Sequence, residues 1–456
     1  MSPLVDELVA AGLSEGAAVT RAAMFERAEE ALRALGAGPR HRIHVPGRIE
    51  VLGKHTDYAG GRSLLAAVER GFCVVSAPRI DDTVRLMAVD RDEEGFLSFD
   101  PAAATPAAPA WAIYPAAVVR RLARDFHRPL HGADIVFTSD LPPSSGLSSS
   151  SALLIATFEA LSLANGLAER EEFRAALPGT LDVAAYLGSV ESGRPFRRFG
   201  GEAGVGTSGG SQDHTAIMAS EAGRIIQVGY APPRIEGRVA LPRDSIFVIA
   251  VSGVAAEKTA GARESYNRAA ELSGALLDLW RSTTSRSDAT LFEAVTSSPE
   301  ASLRLRETIR SSGAGKFARA DLDARLDQFV DETLVLIPAA FDALGSGDLK
   351  GFGRAVDRSQ RGAEIGLGNQ ISETVDLARM ARSLGAHAAS AFGAGFGGSV
   401  WALVNRAEAS SFQTAWERAY RARHDRSSAC FFTTEAGPAL IHSGANGSGG
   451  TRSKTP

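Results

Sequence analysis

Three separated stretches of this chain concentrate residues that can do chemistry. The first is Leu141 to Ala156, LPPSSGLSSSSALLIA. A Gly/Ser turn runs straight into an Ala/Leu-rich stretch, Leu147 to Ala164, that reads as a helix. The first turn of a helix carries unpaired N–H groups and the positive end of the macrodipole, which suits phosphate. Small residues let the backbone approach a phosphate closely. Pro143, Gly146, Leu147, Ser148, Ser149, Ser150 and Ser151 are therefore the candidates for a phosphate site. A serine-rich linker or a plain capped helix would carry the same residues. The stretch is not a Walker-type loop, because the Lys-Ser/Thr pair is missing. Gly313-Ala314-Gly315-Lys316 runs into Phe317 and is only a decoy.

The second stretch is Gly47 to Gly61, GRIEVLGKHTDYAGG. It packs Arg48, Lys54, His55, Asp57 and Tyr58 between apolar runs. These donors and acceptors could hold a polyhydroxy substrate, or simply solvate a turn. The third is the glycine loop Ser390 to Gly398, which includes Gly395, Gly397 and Gly398 and leads into an apolar run, Ser399 to Val404. Glycine loops are common, so this one says little by itself. A fourth glycine-rich segment, residues 199–211, holds six glycines and ends at Gln212-Asp213-His214.

The elements that must position these residues are partly readable. Residues 17–35 read as an amphipathic helix. From Ile43 the character changes to strand, turn and loop, and Leu64 to Ala77 is a second apolar run. Residues 101–109, PAAATPAAP, read as a surface loop. Ala133 to Phe137 reads as a strand before the serine loop, Thr180 to Ser192 as a helix, and Ile246 to Val251 as a β-branched strand. Helical patterns fill roughly 258–281 and 318–345. From Ser443 the polar, glycine-rich end reads as disordered.

A chain of 456 residues is too long for one simple core and suggests two domains. Hydrophobic content of 44% and charged content of 22% are those of a globular protein, and a net charge of -4 with mixed signs argues against a nucleic-acid partner. No run of 18 apolar residues suggests a membrane span, and no signal peptide is visible. Cys73 and Cys430 stand alone, outside any metal or disulfide spacing, so a reducing cytoplasmic location is expected. Oligomeric state is not encoded in any of these features.

Taken together, the three motifs resemble the GHMP kinase superfamily, in its order and at plausible spacing. His55-Thr56-Asp57-Tyr58 with Gly60-Gly61 is similar to the galactokinase signature, Leu141 to Leu153 to the ATP-phosphate loop, and Ala394 to Gly398 to the third motif. KTAGARESYNRAAE, within Ser252 to Glu271, looks like the galactokinase segment with a Tyr-Asn pair. The resemblance covers roughly residues 42–440. It implies a two-domain α/β (α+β) fold: an N-terminal domain like ribosomal protein S5, with a mixed sheet and a left-handed βαβ unit, and a ferredoxin-like C-terminal domain. The expected divisions are a helical arm over 1–40, the N-terminal domain over 41–235, the C-terminal domain over 236–440 and a disordered tail over 441–456.

The resemblance also implies a chemistry: transfer of the γ-phosphate of ATP to a small-molecule sugar, at the C1 hydroxyl of galactose or a related hexose. Asp213 takes the place of the family's base, and Arg48 matches the arginine near the transferred phosphoryl. Ser150 and Glu191 match the family's Mg²⁺ contacts. His55, Asp57 and Tyr266 match sugar contacts. Lys54 stands where galactokinases carry glutamate, and Glu50 where they carry asparagine. A cation at position 54 opens a second reading, a uronic acid or another sugar with an acceptor at its C6 end. Gly209-Gly210-Ser211-Gln212-Asp213 is similar to the Gly-Gly-Trp-Gln-Asp of the sugar-acid and heptose kinase branches, which points the same way. A non-catalytic galactokinase-like sensor is a third reading, and a mevalonate- or homoserine-like acceptor a fourth, which the HTDY stretch disfavours.

Overall fold

Strand β1 (His41–Leu52) runs antiparallel to β2 (Arg62–Pro78), and the two form the spine of the first sheet. The computed structural model describes residues 2–100, 103, 107–126, 129–255, 260–311 and 316–444, with the backbone alone over 260–266. The β1–β2 register shifts between Pro46 and Arg48 and again between Glu50 and Leu52. Such irregularities kink a strand and re-aim its side chains. They bracket the segment that carries Arg48 and Glu50.

Six further strands complete this sheet: β3 (Thr83–Ala88), β4 (Glu93–Ser98), β5 (Ala133–Ser139), β6 (Arg224–Tyr230), β7 (Pro233–Ala240) and β12 (Ile441–Gly444). The order is β12-β1-β2-β5-β3-β4, with β6 on β2 and β7 on β6. β3 and β5 pair in parallel and the other pairs are antiparallel, so the sheet is mixed. Between β8 (Ser245–Val251) and the C-terminal end, β9 (Ala388–Phe392), β10 (Ser399–Asn405) and β11 (Cys430–Thr434) form a second sheet in the order β11-β8-β10-β9, antiparallel throughout. In chain order that is 4-1-3-2, the ferredoxin-like arrangement expected.

The period of two along β2 divides the first sheet's two faces. Val68 and Val74 join a core with β1 and with α4 (Ser149–Asn165). Cys73, Val75 and Ala77 face the N-terminal helices α1 (Pro3–Ala10) and α2 (Glu15–Ala34), whose Leu8, Phe25 and Leu32 are fully buried. The arm is thus a structural layer. The crossover from β3 to β5 carries α3 (Ile113–Asp125). Helices α5 (Glu171–Ala176), α6 (Thr180–Ser192) and α7 (Gln212–Ala219) follow α4, and α8 (Ala260–Thr284) opens the helical part of the second half.

Two expected divisions move. The boundary at 235/236 falls inside β7, because β7 needs β6 to complete its hydrogen bonds; the first sheet runs to Ala240. The tail expected from residue 441 begins with a strand, since Ile441–Gly444 pair with His41–His44. The remaining tail residues, and most of the loop over 101–109, lie outside the described residues. Among the described residues no helix is long and apolar enough to cross a membrane.

Candidate active site

The end of β5, the serine loop, the start of α4 and the glycine-rich segment before α7 surround a cleft of about 890 Å³. Its floor is set by Arg48. The β1 irregularity turns this side chain toward α7, where its Nε donates to Asp213 Oδ1 at 2.8 Å and its Nη1 to the Gly146 carbonyl at 2.5 Å. Asp213 Oδ2 accepts the Ser148 hydroxyl at 2.6 Å. Burial opposes the charge on Asp213, but the Arg48 guanidinium and the Ser148 hydroxyl outweigh it and hold the carboxyl below its ordinary value. One third of the Asp213 side chain remains open to the cleft (33%).

Ser148 is left-handed, with φ 61°, immediately before α4. A side chain there is strained, and the bond to Asp213 is what the conformation gains. Ser149 and Ser150 line the cleft at the first turn of α4. Ser151 Oγ donates to Glu191 Oε2 at 2.8 Å, and His214 Nε2 lies 3.2 Å from the same oxygen. Glu191 thus meets Ser151, one residue beyond Ser150. Pro143 and Gly146 line the cleft. Leu147 does not: its side chain is fully buried in the core, and its contribution is a carbonyl that accepts the Arg48 N–H at 3.2 Å.

The glycine loop closes the cleft from the second sheet. Gly393 and Ala394 line it, whereas Gly395, Gly397 and Gly398 do not. These three shape the loop: Gly397 has φ 137°, and a Cβ there would lie 2.8 Å from the Val254 carbonyl. The Ser399 hydroxyl donates to the Ser145 carbonyl at 2.6 Å, which ties the serine loop to the second sheet.

His55 and Asp57 sit on the wall beside Asp213. His55 Nδ1 is 2.9 Å from the Tyr58 hydroxyl and Nε2 is 3.4 Å from the Ala394 carbonyl. A carbonyl only accepts, so Nε2 carries the hydrogen and Nδ1 accepts from Tyr58. Burial, with the nearby Arg325, lowers the imidazole to about 4, so it is neutral. Asp57 Oδ2 accepts the Gln212 N–H at 3.1 Å, and burial raises its carboxyl.

Lys54 departs from expectation. It is 1% exposed, it does not line the cleft, and its Nζ reaches Ser390 Oγ at 2.8 Å and Ser359 Oγ at 3.4 Å. The left-handed turn at His55 (φ 58°) follows it, and two serines distant in sequence give its ammonium acceptors away from the cleft. The side chain of Tyr266 lies outside the described residues. Sequence reasoning missed Gln212, which lines the cleft and gives its Nε2–H to Glu50 Oε2 at 2.7 Å. It also missed the cleft's aromatic end, where Trp111, Tyr114, Phe72 and Phe137 gather. Trp111 and Phe137 meet edge to face at 5.4 Å. The pair Trp111 and Tyr114, three residues apart at the start of a helix after a Pro/Ala-rich loop, was the available signal.

The chain matches three family descriptions: the GHMP kinases N terminal domain over residues 114–189, the GHMP kinases C terminal over 340–422, and the galactokinase galactose-binding signature over 33–78. A galactokinase of Roseiflexus sp. (strain RS-1) is 28% identical over 393 residues, covering 84% of this chain and 88% of that one. A galactokinase of Chloroflexus aggregans is 39% identical over 142 residues, 30% of this chain and 35% of its own. The structure of Lactococcus lactis galactokinase complexed with galactose superposes with a TM-score of 0.71 at 22% identity, covering 91% of this chain and 98% of that one.

The fold is the mixed α/β two-domain fold of the GHMP kinase superfamily, and its N- and C-terminal descriptions both match within the chain. Within that superfamily the chain is similar to the galactokinase-like sugar kinases. It is a phosphotransferase that uses ATP and acts on a hydroxyl of a small-molecule sugar.

Proposed function

We propose that this chain is a galactokinase, moving the γ-phosphoryl group of ATP to the C1 hydroxyl of galactose. The observation that carries the reading is Asp213, held ionised between Arg48 and Ser148 and open to the cleft beside the phosphate-binding loop. Oδ1 lies 2.8 Å from both Nε and Nη2 of Arg48, whereas Oδ2 spends one acceptor site on Ser148 and keeps another. The sugar C1 oxygen would attack the γ-phosphorus as its proton passes to Asp213. The bond from the γ-phosphorus to the β–γ bridging oxygen breaks, and ADP leaves. Phosphoryl transfer needs mainly positioning and charge neutralisation, and Arg48 supplies positive charge beside the base. His55 and Asp57 would bind sugar hydroxyls from the wall, with Tyr266 as a further contact by its place in the sequence. The aromatic end around Trp111 and Phe137 suits an adenine ring.

The residues present fit Mg²⁺. It takes hard oxygen donors and leans on substrate phosphates rather than a protein cage. Glu191 with Ser150 or Ser151 would offer a carboxylate and a hydroxyl at the start of α4. The ion would neutralise charge on the β- and γ-phosphates.

The orientation of Lys54 weighs against a uronic acid, because its ammonium is engaged by Ser390 and Ser359. A sensor without catalysis would not need an ionised, cleft-facing Asp213. A cytoplasmic location fits two unpaired thiols, Cys73 and Cys430. The test is ADP release measured against a panel of monosaccharides. Galactose should drive turnover, with galacturonate at least 100-fold poorer in kcat/KM. Preference for the uronic acid, or ADP release independent of sugar, overturns the reading.

A further inference from the structure

Arg48 and Glu50 are two residues apart on β1, so their side chains leave the same face of the strand. Each grips one of two successive residues at the start of α7. Arg48 holds Asp213 at 2.8 Å, and Glu50 Oε2 accepts the Gln212 Nε2–H at 2.7 Å. The main-chain N–H of Gln212 is fixed in turn by Asp57 Oδ2 at 3.1 Å. Ser211, the cap residue of α7, makes no side-chain capping bond, so these grips set the helix start.

Glu50 is a poor choice for stability alone. It is 4% exposed, and its Oε1 has no hydrogen-bond partner among the described residues. Burying a carboxyl with one oxygen unpaired costs free energy, and two apolar residues would pack there more cheaply. The groups around it divide: Lys54 and Arg48 favour its charge, Asp213 and Glu332 oppose it. The outcome that repays this cost is a fixed Gln212, one residue from the reacting carboxylate.

We propose that Glu50 is a positioning residue for phosphoryl transfer, acting through Gln212 to set the Asp213 carboxylate against the acceptor hydroxyl. This rests on the reading of Asp213 as the base. A misplacement of about 1 Å at a reacting group is worth on the order of 10²-fold in rate, so a loosened helix start reads out in kcat. The adenine site proposed at Trp111 and Phe137 does not involve the Glu50–Gln212 bond, so KM for ATP does not depend on it.

The experiment is a double-mutant cycle in the full chain, with Glu50→Leu, Gln212→Leu and the pair, read as kcat and as KM for ATP. Each single variant should lose roughly 10-fold in kcat, the worth of one hydrogen bond, with KM for ATP unchanged. The pair should lose no more than either single variant, because both remove one interaction. Glu50→Gln, which keeps an acceptor for Gln212, should recover most of the kcat lost in Glu50→Leu; if the leucine variant does not fold, the Gln212→Leu and Glu50→Gln comparison carries the test. Losses that multiply in the pair, a wild-type kcat in Glu50→Leu, or no recovery in Glu50→Gln overturn the proposal. Asp213→Asn run alongside separates the two levels: if it is as active as wild type, the role of Asp213 fails, and if it is inactive while the Glu50 variants behave as wild type, only the positioning role fails.

Discussion

Burial sets the protonation of the residues around Asp213. Glu50 is raised to about 7, with Lys54 and Arg48 drawing it down and Asp213 and Glu332 pushing it up. Its folded-state value therefore lies above the ordinary value of 4.5. Between these two values the folded chain binds the proton and the unfolded chain has released it, so stability falls as pH rises from about 4.5 to about 7. Across the window the effect is on the order of 3 kcal/mol. Glu50→Gln removes it, so the melting temperature of that variant should gain on wild type from about pH 4.5 to about pH 7 and level off above. A difference that stays flat with pH contradicts the assignment. His55 works in the opposite sense: lowered to about 4, it costs stability as pH falls below 6.5. At this scale the sequence was informative about residue types and silent about direction. Arg48, His55, Asp57 and Asp213 all line the cleft; His55 meets Tyr58 of its own motif, while Arg48 and Asp57 find Asp213 and the Gln212 N–H across the fold. Lys54 shares a motif with His55, yet its ammonium is directed by Ser359 and Ser390, far along the chain, and no local pattern reports such partners.

The serine loop and α4 act as one element. Ser148 adopts φ 61° so that its hydroxyl meets Asp213 while the next residues open the helix. Two substitutions separate strain from chemistry. Ser148→Ala keeps the strain and loses the hydroxyl, while Ser148→Gly loses both. The glycine variant should match or exceed the alanine variant in melting temperature, and both should fall roughly 10-fold in kcat. A full-rate alanine variant contradicts a role for the hydroxyl, and an alanine variant more stable than glycine contradicts the strain. The helix itself was legible: a Gly/Ser turn before an Ala/Leu run predicts α4 nearly to its ends. The irregularities in β1 that flank Arg48 and Glu50 were not. They are register relations with β2, and register is set by pairing between strands, which a single stretch of sequence does not contain.

At the scale of the molecule, the first sheet supplies Arg48 and the sugar-side wall, and the second supplies the glycine loop. Ser399 to Ser145 and His55 to Ala394 join the two across the cleft. The two-domain form and the ferredoxin-like order of the second sheet followed from the resemblance. The return of the chain's end to the first sheet did not, because β12 is four residues long and polar, and only its partner β1 makes it a strand. The architecture matters to function through one claim: that a cleft built from both halves presents an ionised Asp213 to a sugar hydroxyl and to the γ-phosphate at once. The most direct measurement of that claim is phosphorus NMR of galactose, ATP and Mg²⁺ with the wild-type chain and with Asp213→Asn at matched nucleotide occupancy. The account predicts galactose 1-phosphate and ADP in equal amounts from the wild type, and a rate at least 100-fold lower from the variant. Sugar phosphate formed by Asp213→Asn at the wild-type rate, or phosphate placed on another hydroxyl, would contradict it.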